Sequence, residues 1–341
     1  MLNNSPEQIK QARISEKAEF ASLGITDQCM LKCKMCYKWQ PDIFIKNTAA
    51  DCFPTLSQYA SLLNQLKKIV SKDFVLNFGG GEALLHKDIY ALIAAADKAG
   101  LRTNLVSNGY LIDQNTAERL AASGLKTIKL SLDSMDRQTH DYLRGVEGVY
   151  AQLMRAIDNL HCFAPDIEIA LISVIYEQNY SGIIELVQWV NDNPKIKDVS
   201  LTVPMQPNNT LPEEHWWKGK YGFLWPKNNQ RVSELFDQLI ELKAKGYKIN
   251  NGIAQLKAMK QYLSDPDSFV KKTSCNMDKA IHISSIGLIY HCFAFEPIGD
   301  IRLMEDINII WNSEKAGIIR QNIKACKKNC HFLINCFFEE D

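Results

Sequence analysis

Six short runs of apolar and β-branched residues recur through the first 204 positions, and helical patterns lie between them. This alternation narrows the fold more than any other feature. The runs cover residues 20–26, 74–78, 102–106, 126–132, 167–175 and 197–203 and read as strands. The clearest helix carries Leu56, Tyr59, Leu62, Leu63, Leu66, Ile69 and Val70 on one side, with Thr55 placed as its N-cap. Further helices are expected near 87–99, 114–123, 147–162, 180–192, 230–245 and 252–263. Strand alternating with helix argues for right-handed βαβ units and a parallel sheet. It leaves open whether that sheet is doubly wound, a full barrel or a partial one.

The order changes after about residue 204. Residues 205–229, rich in Pro, Asn and Trp, read as a long loop or lid. From about residue 270 the text AIHISSIGLIYHCF reads as a hairpin with Gly287 in its turn, followed by a helix near 313–325.

Composition matters at one point: the 341 residues include ten cysteines. The start, MLNNSPEQIKQARISEKAEF, has no apolar signal-peptide core, and no run of about 18 apolar residues exists to span a membrane. A cytoplasmic chain with clustered thiols is expected to bind metal rather than form disulfides. Lys plus Arg and Asp plus Glu are both 39, so the net charge is zero and gives no general pull toward nucleic acid or membrane.

Cys29, Cys33 and Cys36 stand in CMLKCKMC, a C-x3-C-x2-C spacing directly after the first expected strand. A structural zinc site wants four ligands, usually from two paired groups. Three thiols on four irons would instead leave one iron open to a small molecule. Iron–sulfur and zinc both remain possible from spacing alone.

This spacing, followed by the aromatic Tyr37 and the nearby Trp39, resembles the signature of the radical S-adenosylmethionine (SAM) superfamily. The resemblance continues in order. Gly79-Gly80-Gly81-Glu82 looks like the family's GGE motif, which contacts the SAM ammonium group. Ser107 and Asn108 end the third strand, Ser131 and Asp133 the fourth, and Arg144 follows in HDYLRG. By resemblance these face SAM, with Arg144 a carboxylate partner. All lie at strand C-termini, where parallel barrels bind ligands. The implied fold is a partial (β/α)6 TIM-like barrel over residues 20–204, after an N-terminal extension, 1–19. The implied cofactors are a [4Fe–4S] cluster and SAM.

Cys275 and Cys292 frame a C-x11-G-x4-C segment, and Cys326, Cys330 and Cys336 follow as C-x3-C-x5-C. Together with the connecting text they resemble the SPASM and twitch extensions of radical SAM enzymes. A complete SPASM extension has seven cysteines; this chain has five there, so the resemblance implies one auxiliary [4Fe–4S] cluster. Cys275, Cys292 and Cys330 are expected ligands, and Cys326 and Cys336 compete for the remaining place. Residues 270–341 are then a small α+β extension, joined to the barrel by loop and bridging helices at 205–269.

Cys162 is expected to be a buried small hydrophobe. Cys52 is a candidate hydrogen donor to a substrate radical. His86 is expected to cap the next helix. Trp216, Trp217 and Trp225 either pack between barrel and extension or line a substrate pocket. His291, next to Cys292, is a better neighbour for a cluster than His282. Lys324, Lys327 and Lys328 read as a solvated face that would suit an electron donor such as flavodoxin or ferredoxin.

The resemblance implies an enzyme that cleaves SAM and abstracts a substrate hydrogen atom. A peptide substrate leads, modified by crosslinking, epimerisation or oxidation, because the 205–229 stretch would suit a broad mouth. Only 28 residues precede Cys29, too few for the winged-helix peptide-recognition domain of many peptide maturases. The alternatives are a small molecule such as a sugar or aminocyclitol, and a non-catalytic iron–sulfur or zinc scaffold.

Overall fold

In the computed structural model, which describes residues 17–36, 38, 53–205, 215–268, 275, 277–327 and 330, all six apolar runs are strands. They are β1 (Ala18–Thr26), β2 (Val70–Gly80), β3 (Arg102–Ser107), β4 (Thr127–Ser131), β5 (Glu168–Val174) and β6 (Val199–Thr202). Each is parallel to its sequence neighbour. The intervening helices are α1 (Leu56–Leu66), α2 (Ile89–Lys98), α3 (Gln114–Ala122), α4 (Arg137–Arg144), α5 (Val149–Phe163) and α6 (Ile183–Asp192). Crossovers of this kind are right-handed as a rule, which collects crossover helices on one side of a sheet.

The local chemistry explains these elements. Thr55 caps α1 in a box with Gln58, and Tyr59, Leu62, Leu63 and Leu66 turn inward. Asp113 and Asp136 cap α3 and α4 more simply, accepting from Thr116 N and Thr139 N. Along the strands Leu76, Phe78, Leu105, Ile128, Leu130, Leu171 and Leu201 are fully buried in the core shared with the helices. The alternate positions Asn77, Lys129, Ser131 and Val174 are only half-buried and face the other way. The helix α4 was not expected; HDYLRG is its C-terminal half.

Beyond β6 come α7 (Asn229–Ala244), α8 (Ile253–Ser264), β7 (Ala280–Ile283), β8 (Leu288–Tyr290), β9 (Gly299–Asp300), α9 (Ile307–Trp311) and α10 (Glu314–Lys324). The expected hairpin is present, with Gly287 at φ +85° in its turn. What the pattern did not reveal is where the hairpin goes. Strand β7 lies parallel to β1, so the sheet runs β6-β5-β4-β3-β2-β1-β7-β8-β9 and stays open. The architecture is mixed α/β on a parallel core, a partial barrel. Among the described residues no helix is long and apolar enough to cross a membrane.

Candidate active site at the strand C-termini

The cysteine loop leaves β1 and is gripped at once by the turn that ends β2. Gly81 N donates to Thr26 O at 2.7 Å and Glu82 N to Gln28 O at 2.8 Å. That approach requires glycine. A Cβ at Gly80, where φ is +125°, would sit 2.3 Å from Thr26 O, and one at Gly81 2.1 Å from Gln28 O. On its other side the loop rests on the end of α4. Lys34 N donates to Leu143 O at 2.9 Å, and Gly145, at φ +70°, leaves room for the Lys32 carbonyl.

Glu82 is 1% exposed and binds three donors: Leu84 N at 3.2 Å, Ser107 Oγ at 2.9 Å and Asn108 N at 2.9 Å. Burial pushes its carboxyl up, and these donors pull it back. The carboxylate therefore ties the β2 turn to the end of β3. From there Asn108 Nδ2 reaches 3.8 Å from Cys29 Sγ and 3.4 Å from Met30 Sδ.

Asp133 and Arg144 form a buried ion pair at 2.7 Å. Burial raises the Asp133 carboxyl, opposed by the guanidinium and by the Val174 amide, which donates at 3.1 Å. Arg144 also hydrogen-bonds the Cys33 sulfur, and its Nε is buried without a partner. Burial pushes the Cys33 thiol up to about 11, against the pull of Arg144. Leu31 N donates to Cys29 Sγ at 3.4 Å. Among the described residues no three His, Cys, Asp or Glu side chains converge to hold a single metal ion.

Ser131 ends β4 half-buried, on the same face as Lys129, whose Nζ donates to Ser200 Oγ at 3.0 Å. The sequence reading passed over Lys129. It also passed over His140, whose Nδ1 accepts from Asp133 N at 3.2 Å, and Asn179, whose Nδ2 donates to Asp133 O at 2.6 Å. Tyr176, buried beside Asp133, Arg144 and Cys33, was missed as well. Only α4 and the loop after β5, neither marked by a motif, would have pointed to them. His86 does not cap α2 as expected: the N-cap there is Asp88, which makes no side-chain cap bond, and His86 Nδ1 accepts from the Asp88 amide at 3.2 Å, ahead of the helix.

In the C-terminal half Cys275 and Cys292 are buried, each 8% exposed, while Cys326 and Cys330 are half-buried. No disulfide joins the described cysteines. His291 is buried, bonds Ala280 O at 2.9 Å and meets Trp311 edge-on. His282 packs between Phe20 and Phe293. Lys324 pairs with the buried Asp278. Trp216 and Trp225 are buried against each other at 5.7 Å, and Trp225 lies on Tyr262 of α8 at 5.3 Å, so they pack against a bridging helix. Cys162 corrects the expectation of burial. The inward stripe of α5 is Leu153, Ala156, Ile157 and Leu160, which leaves Cys162 exposed on the other side. Tyr37, Trp39, Cys52 and Cys336 lie outside the described residues.

Known proteins resemble the chain in sequence and in fold. Residues 23–190 match the family described as the Radical SAM superfamily. Fe-coproporphyrin III synthase of Methanosarcina barkeri is 32% identical over 160 residues, 47% of this chain and 38% of that protein. The chain thus spans about two fifths of that relative's length. GTP 3',8-cyclase of Psychromonas ingrahamii is 25% identical over 323 residues, 93% of this chain and 88% of that one. In fold, Streptococcus suis SuiB bound to its precursor peptide SuiA matches with a TM-score of 0.67 and 20% identity, over 96% of this chain and 74% of that one. Residues 23–190 are a radical SAM domain.

Proposed function

We propose that Cys29, Cys33 and Cys36 hold a [4Fe–4S] cluster beside SAM and that the chain modifies a peptide by radical chemistry. The observation that carries the first part is the joint construction of the site. The cysteine loop, the Gly80-Gly81-Glu82 turn and Asn108 form one hydrogen-bonded unit at the strand ends. The residues suit such a group: three thiols sit on one short loop, an amide is already turned on Cys29, and a guanidinium lies against Cys33. Bound there, the cluster would supply one electron for the reductive cleavage of SAM and so the radical chemistry that removes a hydrogen atom from substrate.

The protein's own part is to bind and orient. Gly80 and Gly81 keep the turn against the loop, and Glu82 fixes Asn108 over Cys29. Arg144 offers its charge to Cys33 and, through its unpartnered Nε, to the carboxylate of SAM. Ser131 and Asp133 complete the same rim. Cys275, Cys292 and Cys330, with Cys326 or Cys336, hold an auxiliary [4Fe–4S] cluster fed by a flavodoxin or ferredoxin.

The peptide reading is supported by the fold shared with peptide-bound SuiB over nearly the whole chain. The near full-length alignment with GTP 3',8-cyclase favours a small-molecule substrate as the second reading. Anaerobic reconstitution with iron and sulfide, then reduction with SAM present, tests the chemistry. The native chain is expected to form 5′-deoxyadenosine and the triple variant C29A/C33A/C36A none. Equal yields from both would sink the assignment.

A further inference from the structure

Asp27 and Lys38 stand two residues outside the cysteine motif, one on each side, and their side chains meet. Lys38 Nζ donates to Asp27 Oδ1, and Ser285 Oγ donates to the other oxygen, Asp27 Oδ2. The pair is largely shielded, with side chains 16% and 22% exposed for Lys38 and Asp27, so salt screens it less than a surface bridge. Ser285 arrives there through the sheet. Its turn follows β7, which pairs with β1 as far as Leu23 and Ile283, and Gly24 lets the Ile283 carbonyl come close. Lys38 is tied onward as well, because its amide hydrogen-bonds the Cys36 sulfur. One carboxylate therefore closes the loop that carries three thiols and fastens it to the C-terminal half.

We infer that Asp27 is a positioning residue: through Lys38 it holds the cysteine loop closed around its cluster, and through Ser285 that hold depends on the C-terminal hairpin. The inference rests on the cluster reading above. Neither residue belongs to the cysteine motif. Their charges matter only if the loop must be kept in one shape, since a loop free to splay would lose its grip on a group bound at three points. Partners one layer behind metal ligands typically change retention by about 10–100-fold when removed.

The test compares reconstituted native chain, K38M, D27K, S285A and the charge swap D27K/K38D. Iron release to a chelator is timed by absorbance. The EPR signal of reduced cluster that changes on SAM addition identifies the loop's cluster. K38M and D27K are expected to lose that signal at least about tenfold faster. The swap is expected to return toward the native rate, and S285A to fall between. Equal retention in K38M, or a swap no better than either single variant, overturns the inference. Thermal unfolding of each apo chain separates lost grip from lost fold. K38M leaves the Asp27–Ser285 bond in place, so it carries the test if the Asp27 variants do not fold. A native chain without a SAM-responsive signal overturns the cluster reading and this inference together. A native signal with unchanged K38M overturns the clasp alone.

Discussion

His140 occupies a place in α4 where water does not reach it, and that fixes both its proton and its cost. Its Nδ1 accepts from Asp133 N, so the neutral ring carries its proton on the buried Nε2. Burial, helped by the nearby Arg144 charge, pushes the imidazole down to about 3. The unfolded ring takes up a proton below its ordinary value near 6.5 while the folded one does not, so acid favours the unfolded chain. The stability that goes with the neutral ring is complete above that value and drains away as pH falls toward 3. Between pH 7 and pH 5 the loss from this one group is about 2 kcal/mol. Urea unfolding of the apo chain should show H140Q losing about that much less than the native chain over the same interval. Equal losses would mean that the ring is not held neutral. Asp133 was legible because it follows the end of β4, where such folds put chemistry, whereas Arg144, which ends α4, was picked out only by resemblance. A single histidine inside HDYLRG carries no such mark, and only the closed end of α4 over the Asp133 amide gives it a role.

At the scale of elements, the site depends on two backbones lying closer than side chains permit. The motif Gly79-Gly80-Gly81-Glu82 was readable as a close approach, but which glycine does what was not, since all three look alike in sequence. Position decides. A Cβ at Gly79 would meet nothing within 4 Å, whereas one at Gly81 would sit 2.1 Å from the Gln28 carbonyl oxygen. G79A is therefore expected to leave stability within about 0.5 kcal/mol of native. G81A should push the β2 turn off the cysteine loop, cost about 1–3 kcal/mol and sharply reduce iron uptake on reconstitution. Denaturant unfolding and iron per chain read both effects. Matching behaviour of the two variants would show that the turn does not clamp the loop. The six strands and the main helices were legible for a simpler reason. Each announces itself within its own residues, by alternation, by a one-sided stripe or by a cap such as Thr55.

The pairing of β7 with β1 has no local signal at all. Four residues, Ala280–Ile283, read only as one arm of a hairpin, and their partner lies some 260 positions earlier in the chain. Nothing in a periodicity states that β1 has a second free edge or that this short strand fills it. Yet the pairing decides how the halves of the molecule depend on each other. Ile281 sits opposite Ala21, fully buried, and the next turn brings Ser285 to Asp27. A C-terminal half docked in this way belongs to the same cooperative unit as the strands that present the cysteine loop. Truncating Ile281 to Ala tests this, because a core isoleucine lost this way costs about 2–5 kcal/mol. If the halves are one unit, I281A lowers hydrogen-exchange protection in β1 and β2 by the same amount as in β7 and β8, and its unfolding stays a single transition. If protection falls in the hairpin while β1 and β2 keep theirs, the halves are separate. The site at the strand ends would then stand on the first six strands alone.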